Sequence, residues 1–143
     1  MTNITARSVP SDVLLPKDLE IVRVEYAPKC LLVDTWSLKD STPTLVEFSE
    51  IIGFRVMDER DLMEFWPECS SANGRLFEIS AGGWLAQELL RPGSLIGPMN
   101  IQAREYFLAG ADDCVSVLCY GEPSVREGTN PVVSREGAGF HPP

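Results

Sequence analysis

A chain of 143 residues that is 44% hydrophobic and 23% charged is long enough for one well-buried core, too short for two ordinary domains and too apolar for wholesale disorder. Twelve Lys and Arg stand against 21 Asp and Glu, a net charge of −9, so the cation density that phosphate binding requires is missing and nucleic acid is not an expected ligand. No run approaches the ~20 apolar residues of a membrane span, and residues 1–16 lack the apolar stretch of a secretory signal, so the expected location is the cytoplasm.

Residues 1–16 mix Thr, Ser, Asn and Pro with a short apolar patch, Val13-Leu14-Leu15, and read as a flexible N-terminal arm with one docking point. Residues 17–123 read as a single α+β domain. Within it, Val22-Arg23-Val24-Glu25-Tyr26 alternates as a half-buried strand does, and residues 30–36 form a second strand predicted to pair antiparallel with it. Residues 45–57 read as the longest strand, with Val46, Phe48, Ile52, Phe54 and Val56 on one face. Glu50 interrupts that face. A bend near Gly53 that carries Glu50 to a rim is favoured over a functional carboxyl, because glycine in strands marks bulges.

Asp58 is placed to cap a helix, with Leu62, Met63 and Trp66 facing inward and Pro67 ending the run. A fourth strand follows at residues 75–79. Ser80 is placed to cap a second helix over residues 82–90, with Trp84, Leu85 and Leu89 inward. Gly82 and Gly83 cost helix propensity, and the reading that explains them is close approach of the helix start to the sheet. Residues 91–103 form a long irregular connection carrying Leu95, Ile96 and Met99. Residues 105–120 contain two β-prone apolar runs around Gly110-Ala111-Asp112-Asp113, a hairpin able to form early and to offer an edge to other strands. Residues 124–143 read as an irregular tail with at most an extended piece at 131–133. The sum is a mainly antiparallel sheet of about six strands packed on one side by two short helices.

Catalytic constellations are scarce. His141 is the only histidine and stands third from the end, so no Ser-His-Asp or Cys-His arrangement is expected. Cys30, Cys69, Cys114 and Cys119 show no metal-binding spacing, and Cys114 and Cys119, five apart on one strand, must point to opposite faces. No metal, cofactor or catalytic residue is assigned. Glu50, Glu78 and Glu105 are the carboxylates that an acid/base pair would draw on. Asp58, Glu59, Asp61, Glu64 and Glu68 crowd a ridge against Arg60 alone, and Asp112 and Asp113 add two carboxylates at the hairpin turn. Such a ridge is usually a solvated face; its functional reading is a surface for a basic partner.

The pattern Phe54-Arg55, Asp58-Glu59-Arg60-Asp61 running to Trp66, Gly82-Gly83-Trp84-Leu85, Tyr106, and Asp113-Cys114-Val115-Ser116-Val117-Leu118 ending at Glu122-Pro123 resembles small bacterial immunity proteins of contact-dependent inhibition and other polymorphic toxin systems. The resemblance spans residues 45–123. It implies a cytosolic inhibitor that binds a toxin domain, often a basic nuclease, and blocks its active site or a nearby surface, and it carries over no catalytic residue. The alternatives are a small carboxylate-dependent enzyme and an acidic adaptor subunit binding a cellular protein. Acids clustered around an exposed apolar anchor favour inhibition; an enclosed pocket with converging carboxylates favours catalysis.

Overall fold

In the computed structural model, which describes residues 3–97 and 102–129, nine strands form two antiparallel sheets. The elements are β1 (Thr5–Ser8), β2 (Leu19–Ala27), β3 (Cys30–Ser37), β4 (Thr42–Ser49), β5 (Ile51–Asp58), α1 (Trp66–Cys69), β6 (Leu76–Ala81), α2 (Trp84–Leu90), β7 (Arg104–Ala109), β8 (Asp113–Cys119) and β9 (Ser124–Glu127). The larger sheet has the order β1-β6-β7-β8-β5, and the smaller β2-β3-β4-β9. The class is α+β, as expected, but with more strands than six and two sheets in place of one.

The difference begins at Glu50. Its backbone is left-handed, with φ 54°, so the run read as one strand breaks there: Ser49 pairs with Cys30 in the smaller sheet, and Ile51 with Cys119 in the larger. A bulge between Ile51 and Gly53 continues the bend, and Glu50 is exposed at the junction. The two remaining strands lie in segments read as arm and tail. β1 pairs with β6, Ala6 opposite Ile79, and β9 pairs with β4, Val125 opposite Val46. Each has four residues, too few for alternation to register, and each gains its order from an edge already formed.

β7 and β8 form the predicted hairpin, with Arg104 opposite Cys119 and Ala109 opposite Cys114, and every residue of 105–110 and 114–119 is buried. This follows from cover on both faces. On one, Tyr106, Leu108, Val115, Val117 and Cys119 share a core with Leu19, Leu31, Val33, Val46 and Phe48 of the smaller sheet. On the other, Phe77, Ile79, Phe107, Ala109 and Cys114 pack with Leu62, Phe65 and Cys69. The order is therefore sheet, sheet, helical layer, with Cys114 and Cys119 on opposite faces as their spacing requires.

The helical layer differs from the single helix expected after Asp58. Residues Glu59–Asp61 and Met63–Phe65 form successive 3-10 turns leading into α1. Asp58 does cap the first, its carboxylate accepting from the Arg60 amide at 2.8 Å. Pro67 sits in the first turn of α1, where the missing N–H is not needed. Leu62 and Phe65 point inward, whereas Met63 is 72% exposed. α2 starts at Trp84 rather than residue 82, because Gly82 is left-handed, with φ 79°. The Ser80 hydroxyl donates to the Thr5 carbonyl instead of capping α2, and Leu89 is exposed. Trp66 and Trp84 are half-buried: Trp66 packs against the core of the helical layer with its indole N–H donating to the Glu59 carbonyl at 3.1 Å, and Trp84 lies under the Arg55 guanidinium. Met99, residues 131–133 and His141 lie outside the described residues.

Phe107 stacks on Phe65 with ring centroids 4.4 Å apart and meets the edge of Trp66 at 5.9 Å. Replacing it with Ala removes the contact that ties the helical layer to the sheet, and is expected to cost ~3–5 kcal/mol in urea unfolding. Burial pushes the thiol of Cys69 up to about 12 and those of Cys114 and Cys119 up to about 11. In the native protein at mildly alkaline pH, iodoacetamide should therefore modify the half-buried Cys30 first and reach the other three only on unfolding, a sequence that mass mapping checks.

Candidate partner-binding surface

Chain connectivity alone holds Asp58, Glu59, Asp61, Glu64 and Glu68 together; the sheet adds the hairpin turn. Asp58 is the register partner of Asp113 across β5 and β8, and the Glu59 amide donates to the Asp112 carbonyl at 2.9 Å. Asp58, Asp112 and Asp113 thus meet at one end of the larger sheet, Glu59, Asp61 and Glu64 follow in the 3-10 turns, and Glu68 lies farther on in α1, which packs against β1 at the opposite edge. Asp61, Glu64, Glu68, Asp112 and Asp113 are exposed, and Asp58 and Glu59 are half-buried. Met63, 72% exposed, stands between Asp61 and Glu64 in the chain.

The one cation of the ridge is already engaged. Arg60 donates to Asp58 from Nε at 3.1 Å and from Nη2 at 2.9 Å. These side-chain bonds, with the Arg60 backbone amide, hold the Asp58 carboxyl down to about 2. A carboxyl depressed below its unfolded value favours the fold above the ordinary carboxylate range, and that contribution is lost as pH falls through the folded value. Glu59, Asp61, Glu64 and Glu68 have no ion-pair partner among the described residues.

The carboxylates considered for acid/base chemistry do not meet. Glu78 lies with Tyr106 on the face toward the smaller sheet and pairs with Arg7 and, at 3.8 Å, with Arg104. Glu105 lies on the opposite face. Glu50 is at the junction between sheets. Glu105, 1% exposed, accepts from the backbone amides of Trp84 at 3.1 Å and Leu85 at 2.8 Å, and so caps α2 from a neighbouring strand. Desolvation raises its carboxyl while those two amides pull it down. A Cβ on Gly83 would come within 2.7 Å of both Glu105 oxygens, which is the close approach of helix start to sheet that the glycines predicted. The Glu105 role itself was missed; the signal was an acid on an apolar strand in a chain that also offers Gly82-Gly83.

No family model, curated protein or solved structure matches this chain.

The depressed carboxyl gives a direct measurement. In a carbon-detected NMR titration the Asp58 carboxyl should have its midpoint near 2, and Arg60→Gln should return it toward the ordinary carboxylate range. A wild-type midpoint near 4 would show that the Arg60 pairing does not persist in solution.

Proposed function

We propose that the chain is a cytoplasmic acidic inhibitor of the bacterial immunity type, which binds and neutralises a basic toxin domain through residues 58–68 and the Asp112-Asp113 turn. The observation that carries this reading is the setting of Met63: an apolar side chain 72% exposed, flanked by Asp61 and Glu64 on a surface whose other acids converge from two separate chain segments. An apolar anchor ringed by charge is the arrangement in which burial supplies affinity and the surrounding field supplies encounter rate and selectivity. A net charge of −9 adds long-range attraction to a basic partner. The competing catalytic reading draws no similar support, since Glu50, Glu78 and Glu105 lie apart and Glu105 is committed to the α2 backbone.

The test uses the cognate toxin domain that this reading requires, sought first in the gene upstream of this one. Charge reversal at Glu59, Asp61 and Glu64 together should slow association at low salt at least tenfold and flatten its dependence on ionic strength. Met63→Ala should instead act on dissociation, speeding it about tenfold, as loss of ~1–2 kcal/mol at an anchor requires. Stopped-flow association and dissociation measured across a salt series read both. Unchanged rates and an unchanged salt slope in folded variants would return the ridge to a solvated surface.

A further inference from the structure

Among the described residues of this acidic chain, a cleft has a charged lining that is basic. Among the described residues, Arg7, Arg23, Arg60, Arg91, Arg104 and Arg126 each pair with a carboxylate, and Arg55 lies over the Trp84 ring. Lys29, Lys39, Lys17 and Arg75 do neither, and the last two lie together. Both line a cleft of about 560 Å³ between the segment joining β1 to β2 and the turn before β6, together with Ser8, Ser71, Leu14 and Leu76. This volume lies within the range of small-molecule sites.

Arg75 is the reason to expect a ligand. Its Nη1 reaches only the Ala109 carbonyl, at 3.4 Å, and its Nε is buried with no acceptor, a state it shares with the Nε of Arg55, whose guanidinium is instead covered by the Trp84 ring. A guanidinium presents five donors, and a buried donor left unused is costly. The carboxylate whose field reaches Arg75, that of Asp18, is held elsewhere: it accepts from the Ser37 hydroxyl at 2.7 Å and the Lys39 amide at 2.9 Å. The cleft is also tight where the turn meets β1, since Gly74 has φ 139° and a Cβ there would come within 2.7 Å of the Ser8 Oγ. Its apolar side is unusual as well. Leu14 is 85% exposed at its edge, and Leu76 belongs to the main core.

We propose that this cleft binds a small carboxylic acid with an aliphatic body, its carboxylate held by Arg75 and Lys17 and its hydrocarbon laid along Leu14, Val9 and Leu15. The planar guanidinium suits a carboxylate held by two parallel hydrogen bonds. An apolar wall beside the cations gives an aliphatic acid an advantage over inorganic anions, which have nothing to bury.

The experiment is an amide NMR titration of the full chain with octanoate, alongside inorganic phosphate, which has the charge without the body, and octanol, which has the body without the charge. Octanoate should give saturable shifts at Ser8, Gly74 and Arg75, with phosphate and octanol each at least about tenfold weaker. Arg75→Gln and Lys17→Gln should each weaken octanoate about tenfold, the loss expected for one charge-assisted contact. Should the partly buried Arg75 variant fail to fold, the exposed Lys17 variant carries the comparison. Absence of saturable shifts at these residues, phosphate or octanol binding as tightly as octanoate, or undiminished octanoate affinity in Lys17→Gln would each overturn the proposal.

Discussion

The structure depends on burying the β7–β8 hairpin from both sides. A two-stranded ribbon is marginal in water, and this one has apolar or small side chains on both faces, so neither a sheet nor helices alone would satisfy it. The smaller sheet covers Tyr106, Leu108, Val115 and Val117, and the Leu62-Phe65-Cys69 layer covers Phe107 and Cys114. Each remaining element is placed by one of these two requirements. β5 and β6 extend the hairpin laterally, β1 closes the β6 edge, and the left-handed Glu50 lets one continuous run serve both sheets.

Burial on both faces leaves Glu105 in a demanding position. A carboxylate in the middle of the structure is unfavourable unless its oxygens are satisfied. Here the two free amides at the start of α2 satisfy them, and the Gly83 hydrogen is what lets helix and carboxylate meet. The same bonds position the helix, so Glu105 is a structural carboxylate. The functional candidates are the carboxylates that stay in water at the hairpin end, where Asp58 is tied to Arg60 and the exposed members of the ridge face solvent.

Much of the sheet was legible because period-two alternation survives wherever one face meets a core. The pairing of β2 with β3, the hairpin at residues 105–120 and the division of Cys114 from Cys119 all follow from it. Glu50 was legible as an interruption, but alternation alone does not distinguish a bend within one sheet from a passage between two: Ile51 is buried where the even positions were expected to be, and the bulge before Gly53 then returns Phe54 to the core of Val46 and Phe48. β1 and β9 were illegible because four residues carry no period, and their order comes from partners distant in sequence. Met63 was misplaced because a 3.6-residue period was imposed on 3-10 turns, whose tighter winding rotates that position outward. Of the candidate surface, the charge cluster was plain in the sequence. Its union with the Asp112-Asp113 turn rests on the Asp58–Asp113 register, which only tertiary structure supplies.

A rigid hairpin buried on both faces gives its acidic end a fixed geometry, and an inhibitor of a basic domain gains from such preorganisation because little order remains to be imposed on binding. Hydrogen exchange of the chain with and without the cognate toxin domain that the proposed function requires tests this most directly. The account predicts that binding slows exchange in residues 58–68 and in the turn at 110–113, with β7 and β8 already the slowest amides in the free protein. Protection confined to β2, or to the segment joining β1 to β2, with the ridge unchanged, would contradict it.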